Sequence, residues 1–268
     1  MTIKAYYNEW EPYCAQWLRN LIDAGHLPPG DVDERSITDV EPEELKGYSQ
    51  HHFFAGIGGW ALADRLAGIS ESERIVTGSP PCQPFSTAGK RGGYSDERHL
   101  APHWLRLVAA IRPDWVFGEQ VAAAIRKDDW LDDLLDALEG EGYATGAIVL
   151  PACSVGAPHI RQRLWVVARL ADSNDKGLQG SREPFYKHET TKWCVEERCD
   201  FQGSVDTDVW RQAFIAKQGA DGRFRPMPQE NCSGADGLPH RVGAIRAYGN
   251  AVVPQVAAEV MKEVMNDH

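Results

Sequence analysis

The sequence lacks the hydrophobic segments that membrane and secreted proteins need. None of its 268 residues belongs to an uninterrupted apolar run of about 18, the length of a membrane-spanning helix. Residues 1–10 have neither the basic start nor the apolar stretch of a signal peptide. Hydrophobic residues make up 43% of the chain and charged residues 25%. This composition predicts a soluble cytoplasmic protein that makes no membrane contact and acts as a monomer.

The sequence also contains few cysteines and no internal repeat. The six cysteines are irregularly spaced, which favours free thiols in a reducing compartment over disulfides. Zinc binding by Cys194 and Cys199, with Cys232 and His240 beyond them, is an alternative that the loose spacing disfavours. We therefore predict no metal site.

Positive charge is in deficit, since 28 basic residues face 39 acidic ones for a net charge of −11. This balance excludes a protein that coats nucleic acid along its whole surface. The first 50 residues carry ten acidic and four basic side chains. Residues 151–170, however, contain Arg161, Arg163 and Arg169 and no acid. A local basic surface can therefore still face a polyanion.

Short apolar runs alternate with helical stretches through most of the chain. Strands are predicted at 53–55, 74–77, 115–118, 145–150 and 164–170. Helices are predicted at 11–24, 39–46, 59–67, 99–111, 129–138 and from 252 onward. This alternation predicts an α/β fold with a mostly parallel sheet that helices cover on both faces.

The alternation stops at residue 171, after which the chain is rich in Gly, Ser, Asn and Asp. Scattered aromatic residues favour a small ordered domain over a disordered insertion. We predict a large domain over residues 1–170, a small domain over 171–240, and a C-terminal helix in 241–268 that returns to the large domain.

Cys82 lies in the segment Gly-Ser-Pro-Pro-Cys-Gln-Pro-Phe-Ser at 78–86, directly after a predicted strand. Open α/β sheets bind ligands at this edge, and a rigidly held thiol there is a candidate nucleophile. The alternative is a buried structural cysteine, which the three surrounding prolines disfavour. The segment 87–98 carries several glycines with Lys90 and Arg91, and is either a loop that closes over phosphates or a plain surface loop.

Three further features accompany the cysteine. Residues 54–59, Phe-Ala-Gly-Ile-Gly-Gly, are predicted to form a glycine turn between a strand and a helix. This turn either binds a ligand against its backbone or is a tight turn without a ligand. Glu119 follows a strand. It is either a functional acid at the same edge of the sheet as Cys82 or a solvated acid at a strand end. Arg161 and Arg163 alternate before a strand, so both are predicted on one face, where they bind phosphate, brace Glu119 or are merely exposed.

Together these residues resemble the DNA cytosine-5 methyltransferases. The matching motifs are Phe-Ala-Gly-x-Gly-Gly at 54–59, Pro-Cys-Gln-Pro-Phe-Ser at 81–86, Glu-Gln-Val at 119–121, Arg-x-Arg at 161–163 and Tyr-Gly-Asn-Ala-Val-Val-Pro at 248–254. The resemblance covers most of the chain outside 172–239. Gln120, His159 and His52 depart from it, standing where asparagine, glutamine and an acid are common.

The resemblance implies a Rossmann-like fold that uses S-adenosylmethionine to methylate C5 of a cytosine flipped out of double-stranded DNA. Cys82 would add to C6 of the base, Glu119 would interact with N3, and Arg163, with Arg161 beside it, would orient Glu119 and the base. The implied cofactor residues are Phe54, Ala55, Gly56, Ile57, Gly58, Gly59, Glu9, Trp10, Asp31, Val32, Pro80, Asn250, Ala251 and Val252.

DNA contacts are implied near the cysteine and in the small domain, which occupies the place of target recognition. The contact residues are Gln83, Ser86, Lys90, Arg91 and Arg98 around Cys82, and Arg223 and Arg225, with Arg211 and Lys217, in the small domain. The sequence that they read is not predicted.

The motif order departs from the family. Only 22 residues separate Gly59 from Cys82, too few for the three strand–helix units that usually lie there. Asn-Glu-Trp-Glu at 8–11 and Gly-Asp-Val at 30–32 look like the missing cofactor motifs but precede the glycine turn. We predict a rearranged sequence with the same sheet, in which the first two strands are neighbours and residues 36–50 cross over to the central strand.

Two alternatives remain open. One is an RNA (tRNA) cytosine-5 methyltransferase with the same motifs, and the other is a catalytically silent nucleic-acid-binding relative. Intact Cys82, Glu119 and Arg163 argue against the silent relative. The compact length favours a bacterial or phage source, in which phage modification, restriction-modification and an orphan enzyme are all open settings.

Overall fold

The computed structural model describes residues 4–81, 100–126, 130–157, 159–171, 214–218, 224–228 and 249–266. Its strands are β1 Ala5–Asn8, β2 Gly30–Asp33, β3 Gln50–Phe53, β4 Ile75–Gly78, β5 Trp115–Val121, β6 Tyr143–Pro151, β7 Gln162–Leu170, β8 Phe214–Gln218 and β9 Phe224–Pro228. Its α-helices are α1 Pro12–Asp23, α2 Gly59–Ala67, α3 Ala101–Ile111, α4 Trp130–Gly140 and α5 Pro254–Asn266.

Seven strands form one sheet in the order β2-β1-β3-β4-β5-β7-β6. Strands β1 to β5 run parallel to one another, and β7 runs antiparallel to both β5 and β6. The prediction of a mostly parallel α/β sheet is therefore confirmed. The antiparallel direction of β7 was not predicted.

The rearranged strand order is confirmed as well. The first two strands of the chain are neighbours at one end of the sheet, and β3 pairs with the other side of β1. Residues 34–49 make the crossover, and they contain two short 3-10 helices, Ile37–Asp39 and Pro42–Leu45. The strand that leads into the glycine turn thus lies between the N-terminal strands and β4.

Helices cover both faces of the sheet, because neighbouring strand residues point to opposite sides. One face packs α3 and α4 against Phe53, Val76 and Val116. On the other face, α2 and α5 pack against Ile75 and Phe117, while α1 packs through Leu18 on Ala5 and Tyr7. The layered architecture expected from the sequence follows from these clusters.

Local predictions hold best where caps and breakers are clear. Helix α1 begins as predicted because the Glu11 carboxylate accepts a hydrogen bond from the Cys14 N–H at 2.9 Å and Pro12 opens the first turn. The predicted surface helix at 39–46 is wrong. Pro42 holds the preceding Glu41 in an extended conformation (φ −96°, ψ 139°), so only short 3-10 turns form.

The third strand is also shifted from its predicted position. We predicted it at 53–55, from the apolar run, but it spans Gln50–Phe53, and Phe54 already enters the turn with a φ of 53°. The polar residues Gln50, His51 and His52 are all buried in this strand. Hydropathy misplaced the strand because its buried residues are polar.

His52 forms an unusual buried pair with Asp64 of α2. The His52 Nε2 and Asp64 Oδ2 atoms lie 3.7 Å apart, and each side chain is 1% exposed. His52 Nδ1 lies 2.9 Å from the Thr77 hydroxyl, while Asp64 makes no hydrogen bond within the described part of the chain. Burial raises the pKa of Asp64 to about 8 and lowers the pKa of His52 to about 3. Both groups are therefore neutral near pH 7.

Of the range 171–240, predicted as a small domain, the structure describes residue 171 and the strands β8 and β9, which pair antiparallel. The candidate zinc ligands Cys194, Cys199, Cys232 and His240 lie outside the described residues. Within the described ranges, no His, Cys, Asp and Glu side chains form a group able to hold a metal ion. The helices of those ranges include none with the length and apolar character needed to cross a membrane.

We predict that Asp64→Asn removes a pH-dependent loss of stability. A carboxyl whose pKa rises from 3.8 when unfolded to about 8 when folded destabilises the fold as pH increases between those values. His52 acts in the opposite direction below its ordinary value of 6.5. Between pH 6.5 and 8, therefore, the Tm of the wild type should fall relative to that of Asp64→Asn. Thermal unfolding at stepped pH measures this, with the exposed Asp132→Asn as control. Parallel curves for wild type and Asp64→Asn would contradict it.

Candidate active site

The ends of the parallel strands bring the predicted site residues to one edge of the sheet. Glu9 follows β1 directly, the glycine turn follows β3, and residues 79–81 follow β4. Gly78 of β4 pairs with Gly118 of β5. Ser79 and Glu119 therefore lie next to each other, at the edge where open α/β sheets bind ligands.

The glycine turn has a backbone that favours glycine at two positions. Gly56 and Gly58 have φ angles of +56° and +87°, in the left-handed region that other residues rarely adopt. A Cβ atom at Gly58 would also lie 2.5 Å from a methyl group of Leu27. The turn therefore lies close to the segment that follows α1. Its left-handed residues set the directions of its backbone N–H groups.

Glu9 connects the N-terminal strand to the glycine turn. Its Oε1 accepts a hydrogen bond from the Glu11 N–H at 2.9 Å, and its Oε2 accepts one from the Gly56 N–H at 2.7 Å. Burial raises the pKa of Glu9, and these two N–H groups act against that rise. An ionised carboxylate has about four acceptor positions, so about two remain for a ligand.

Trp10 is exposed beside this carboxylate. Its side chain is 73% exposed, the largest value among the exposed large hydrophobic residues of the described chain. Trp10 is therefore not part of the hydrophobic core. An indole of this exposure next to Glu9 is available to stack on a flat ring.

The second predicted cofactor acid, Asp31, lies farther back from the edge. It pairs in register with Tyr6, whereas Asn8, the residue before Glu9, pairs with Asp33. The Asp31 carboxylate accepts a hydrogen bond from the Tyr48 hydroxyl at 2.7 Å and lies 3.5 Å from Lys4 Nζ. The structure therefore does not bring Asp31 and Glu9 together. Both contacts of Asp31 are made by Oδ2, so Oδ1 of this exposed carboxylate can meet a ligand while Tyr48 stays bound.

Val32 faces the opposite side of the sheet from Asp31. Its side chain packs with the cluster under α1, and its carbonyl accepts a hydrogen bond from Arg19 at 3.3 Å. Only a backbone contact with a ligand is therefore open to Val32 in this arrangement.

Glu119 is paired with Arg163. The Arg163 Nε lies 2.7 Å from Glu119 Oε1, and the Glu119 side chain is only 9% exposed. Burial raises the pKa of Glu119, while the charges of Arg163 and Arg161 and hydrogen bonds from Ser79 and Arg163 oppose the rise. The result is a carboxyl held in place by a guanidinium and able to exchange a proton closer to neutral pH than a solvated glutamate.

Gln120 ties this acid to the segment that leads to the cysteine. Its Nε2 donates a hydrogen bond to the Pro80 carbonyl at 3.1 Å, and its Oε1 accepts one from the Val121 N–H at 2.9 Å. Pro80 is buried, and the described segment ends one residue later at Pro81. The glutamine that replaces the family's asparagine is thus an anchor for the chain two residues before Cys82.

Arg161 and Arg163 make their contacts with different partners, although the charge of Arg161 also acts on Glu119. Arg161 donates to the carbonyls of Gly249 and Ala251 at 2.9 Å and 2.8 Å. Alternation does not apply to it, because Arg161 precedes β7 and has a left-handed φ of 31°. Arg163 braces Glu119, whereas Arg161 clamps the C-terminal segment.

The C-terminal segment in turn reaches the glycine turn. Val252 is buried, and a Cβ atom at Gly59 would lie 3.1 Å from its Cβ. Asn250 is exposed, and Ala251 is half-buried. Arg161 and Val252 thus connect the start of β7 with the start of α2.

Several predicted residues cannot be placed. Cys82, Gln83, Ser86, Lys90, Arg91, Arg98, Arg211 and Arg223 lie outside the described residues. Lys217 and Arg225 lie on β8 and β9, with only their backbone described.

Three contributors to the site were not predicted in their observed roles. Gln120 was noted only as a departure from the family, and Arg161 was expected at Glu119. Ser79 was quoted within the cysteine motif without a role. Gln120 and Ser79 could have been found from their positions in the sequence, since Gln120 directly follows Glu119 and Ser79 lies in the cysteine motif.

Comparison with known proteins agrees with this geometry. A model of the family described as C-5 cytosine-specific DNA methylase matches residues 5–212. The Type II methyltransferase M.HgiDI of Herpetosiphon aurantiacus is 36% identical over 141 residues, which are 53% of this chain and 44% of that protein. M.BsuFI of Bacillus subtilis is 25% identical over 203 residues, 71% of this chain and 42% of that protein. The chain spans less than half the length of these two relatives.

A solved structure is similar at lower identity. The DNMT2 protein of Spodoptera frugiperda is 17% identical, with a TM-score of 0.41, and the match covers 64% of this chain and 51% of that one.

We predict that the Arg161 clamp stabilises the fold. Hydrogen bonds from a charged donor contribute about 1.5–3 kcal/mol each, and less when exposed. Arg161→Ala should therefore lower the free energy of unfolding by about 2 kcal/mol in urea denaturation, and Arg161→Lys, which can keep one bond, by less. Arg65 is a matched control, because it also donates to two carbonyls, those of Gly25 and His26, but is exposed. No loss in Arg161→Ala would show that the clamp contributes nothing, and a loss no larger than that of Arg65→Ala would show that its partial burial adds nothing.

Proposed function

Because the chain belongs to the C-5 cytosine-specific DNA methylase family, we propose that it transfers a methyl group from S-adenosylmethionine to C5 of cytosine in double-stranded DNA. The observation that carries the proposal is the buried Glu119 carboxyl, held by Arg163 at the sheet edge beside the segment that leads to Cys82. The family match and this carboxyl together point to base chemistry rather than to binding alone.

Cytosine C5 becomes a nucleophile only after a group adds to C6. We propose that the Cys82 thiolate forms a bond to C6 while Glu119 supplies a proton to N3, so that the electron pair of the C5–C6 double bond becomes available at C5. Transfer of the methyl group to C5 would release S-adenosylhomocysteine. A base would then remove the C5 proton, the C6–sulfur bond would break to regenerate the thiolate, and the N3 proton would return to Glu119, which restores the ring. The raised pKa of Glu119 favours the proton-bearing form that this step needs.

Arg163 keeps the carboxyl in position through both protonation states. Its Nε contact at 2.7 Å fixes one oxygen, which leaves the other oxygen to meet the base. A stacked base cannot reach this buried group, so the target cytosine must leave the duplex.

The edge formed by Glu9, Trp10 and the glycine turn fits S-adenosylmethionine, which supplies the methyl group as a sulfonium. The free acceptor positions of Glu9 suit the ribose hydroxyls, and the exposed Trp10 suits the adenine ring. Asp31, the Val32 backbone, Pro80 and residues 250–252 are proposed to complete this pocket, with an oxygen of Asp31 accepting from the adenine amine.

The remaining roles are proposals from the resemblance. Residues around Cys82, namely Gln83, Ser86, Lys90, Arg91 and Arg98, would contact DNA, and Arg223 and Arg225 in the domain at 171–240 would contribute to target recognition. We propose a monomer that acts in the cytoplasm of a bacterial or phage-infected cell, in a restriction-modification setting like that of the Type II relatives.

We predict methyl transfer to duplex DNA that depends on Cys82. Incubation with tritiated S-adenosylmethionine should label cytosine in DNA, and Cys82→Ser should abolish labelling while leaving DNA binding largely intact, because phosphate and base contacts supply the binding energy. Glu119→Gln should lower turnover far more than cofactor affinity. Labelling of tRNA instead of DNA would identify the RNA enzyme, and full activity in Cys82→Ser would contradict the nucleophile.

We predict that Glu9 holds the cofactor more strongly than Asp31 does. Loss of a charge-assisted hydrogen bond costs about 1.5–3 kcal/mol, so Glu9→Ala should weaken S-adenosylmethionine binding by about 10- to 100-fold in calorimetric titration. Asp31→Ala should weaken it less, because the Asp31 carboxylate is exposed to water whereas Glu9 is buried. Glu9→Gln, which can still accept from Gly56, separates loss of charge from loss of the turn. Unchanged affinity in both alanine variants would refute the rearranged cofactor pocket.

A further inference from the structure

Ser79 occupies a position between the helix of the glycine turn and the catalytic carboxyl. It follows β4 directly, and the register of Gly78 with Gly118 places it beside Glu119. Trp60, the second residue of α2, donates its indole N–H to the Ser79 hydroxyl oxygen at 3.0 Å. The Ser79 hydroxyl also lies close enough to Glu119 to oppose the rise in the pKa of that carboxyl.

The chemistry of these groups fixes the direction of the hydrogen bonds. An indole N–H can only donate, so the Ser79 oxygen must accept from Trp60. The single hydroxyl proton of Ser79 is then free to point at the Glu119 carboxylate, which can only accept when ionised. Trp60 itself cannot shift, because it is 2% exposed and packs edge-on against Trp165 at 5.7 Å.

The other groups that face Glu119 are cationic. Arg163 contacts one carboxylate oxygen, and the charge of Arg161 also acts on it. Neither arginine belongs to the elements that carry the glycine turn. Within the described residues, Ser79 is thus a direct side-chain link between Glu119 and α2.

We propose that Ser79 is a positioning residue for Glu119 and that Trp60 sets the direction of its hydroxyl. The helix that begins at the glycine turn is thereby hydrogen-bonded, through one hydroxyl, to the carboxyl that meets the base. The catalytic role of this link rests on the proposed function, whereas the contacts of Ser79 with Trp60 and Glu119 do not depend on it. Through this link, the orientation and the proton affinity of Glu119 depend on Trp60, a residue of the helix that follows the glycine turn.

The test is a direct titration of Glu119 in the intact chain. Glutamate labelled with carbon-13 at the carboxyl gives a resonance for Glu119 that Glu119→Gln identifies by its loss. Ser79→Ala removes a donor to the ionised form, so the titration midpoint of Glu119 should move to higher pH. Ser79→Thr keeps the hydroxyl and should restore the wild-type midpoint. Ser154→Ala is the matched control, because the Ser154 hydroxyl donates to the Pro151 carbonyl at 2.7 Å.

Trp60→Phe tests the direction of the network. It frees the Ser79 hydroxyl to rotate, so we expect an upward shift of the midpoint smaller than that of Ser79→Ala. In the double variant, Trp60→Phe should add nothing, because Trp60 acts through Ser79. An unshifted midpoint in Ser79→Ala, or additive shifts in the double variant, would overturn the proposal. If Trp60→Phe does not fold, the Ser79→Ala and Ser79→Thr pair alone decides.

Turnover provides the second readout. If protonated Glu119 is the active form, the decline of kcat at high pH should move to higher pH in Ser79→Ala, with KM for S-adenosylmethionine unchanged. A shifted titration midpoint in a protein that methylates nothing would refute the proposed function and leave the network standing. A normal midpoint in an active enzyme would refute the network alone.

Discussion

An ionised carboxyl can be buried only where charges and donors replace the water that it loses, and Glu119 depends on this condition. Arg163 reaches it from β7, Ser79 reaches it from the end of β4, and Gln120 next to it fixes Pro80. Strands β4, β5 and β7 must therefore be neighbours, with β7 antiparallel so that its beginning meets the end of β5. The sheet order and the site have the same physical basis.

The strands of the N-terminal half end at the same edge of the sheet, although their order along the chain differs from that usual in the family. Order along the chain is free to vary as long as each parallel strand ends at the same place, because the contacts belong to the strand ends and not to their sequence order. Glu9 shows this, since its carboxylate bonds the Gly56 amide 47 positions later. A crossover of residues 34–49 is enough to preserve the contact.

Sequence patterns predicted what short-range chemistry determines, and missed what depends on partners far along the chain. The helix at 11–24, the glycine turn and the strand–helix alternation were predictable because each residue acts on its neighbours. The partners of Arg161 and Asp31 were not, since Gly249 and Tyr48 meet them only in the folded chain. β3 was misplaced because His51 and His52 are buried polar residues that hydropathy reads as exposed.

The central claim, covalent addition of Cys82 to cytosine beside Glu119, has one direct test. A DNA duplex with 5-fluorocytosine at the target position, incubated with the protein and S-adenosylmethionine, cannot complete the final elimination because fluorine replaces the C5 proton. The account predicts a stable protein–DNA adduct that survives denaturation, and peptide mass spectrometry should map it to Cys82. Absence of an adduct on a duplex that the enzyme methylates in its unfluorinated form, or an adduct at another residue, would contradict the account.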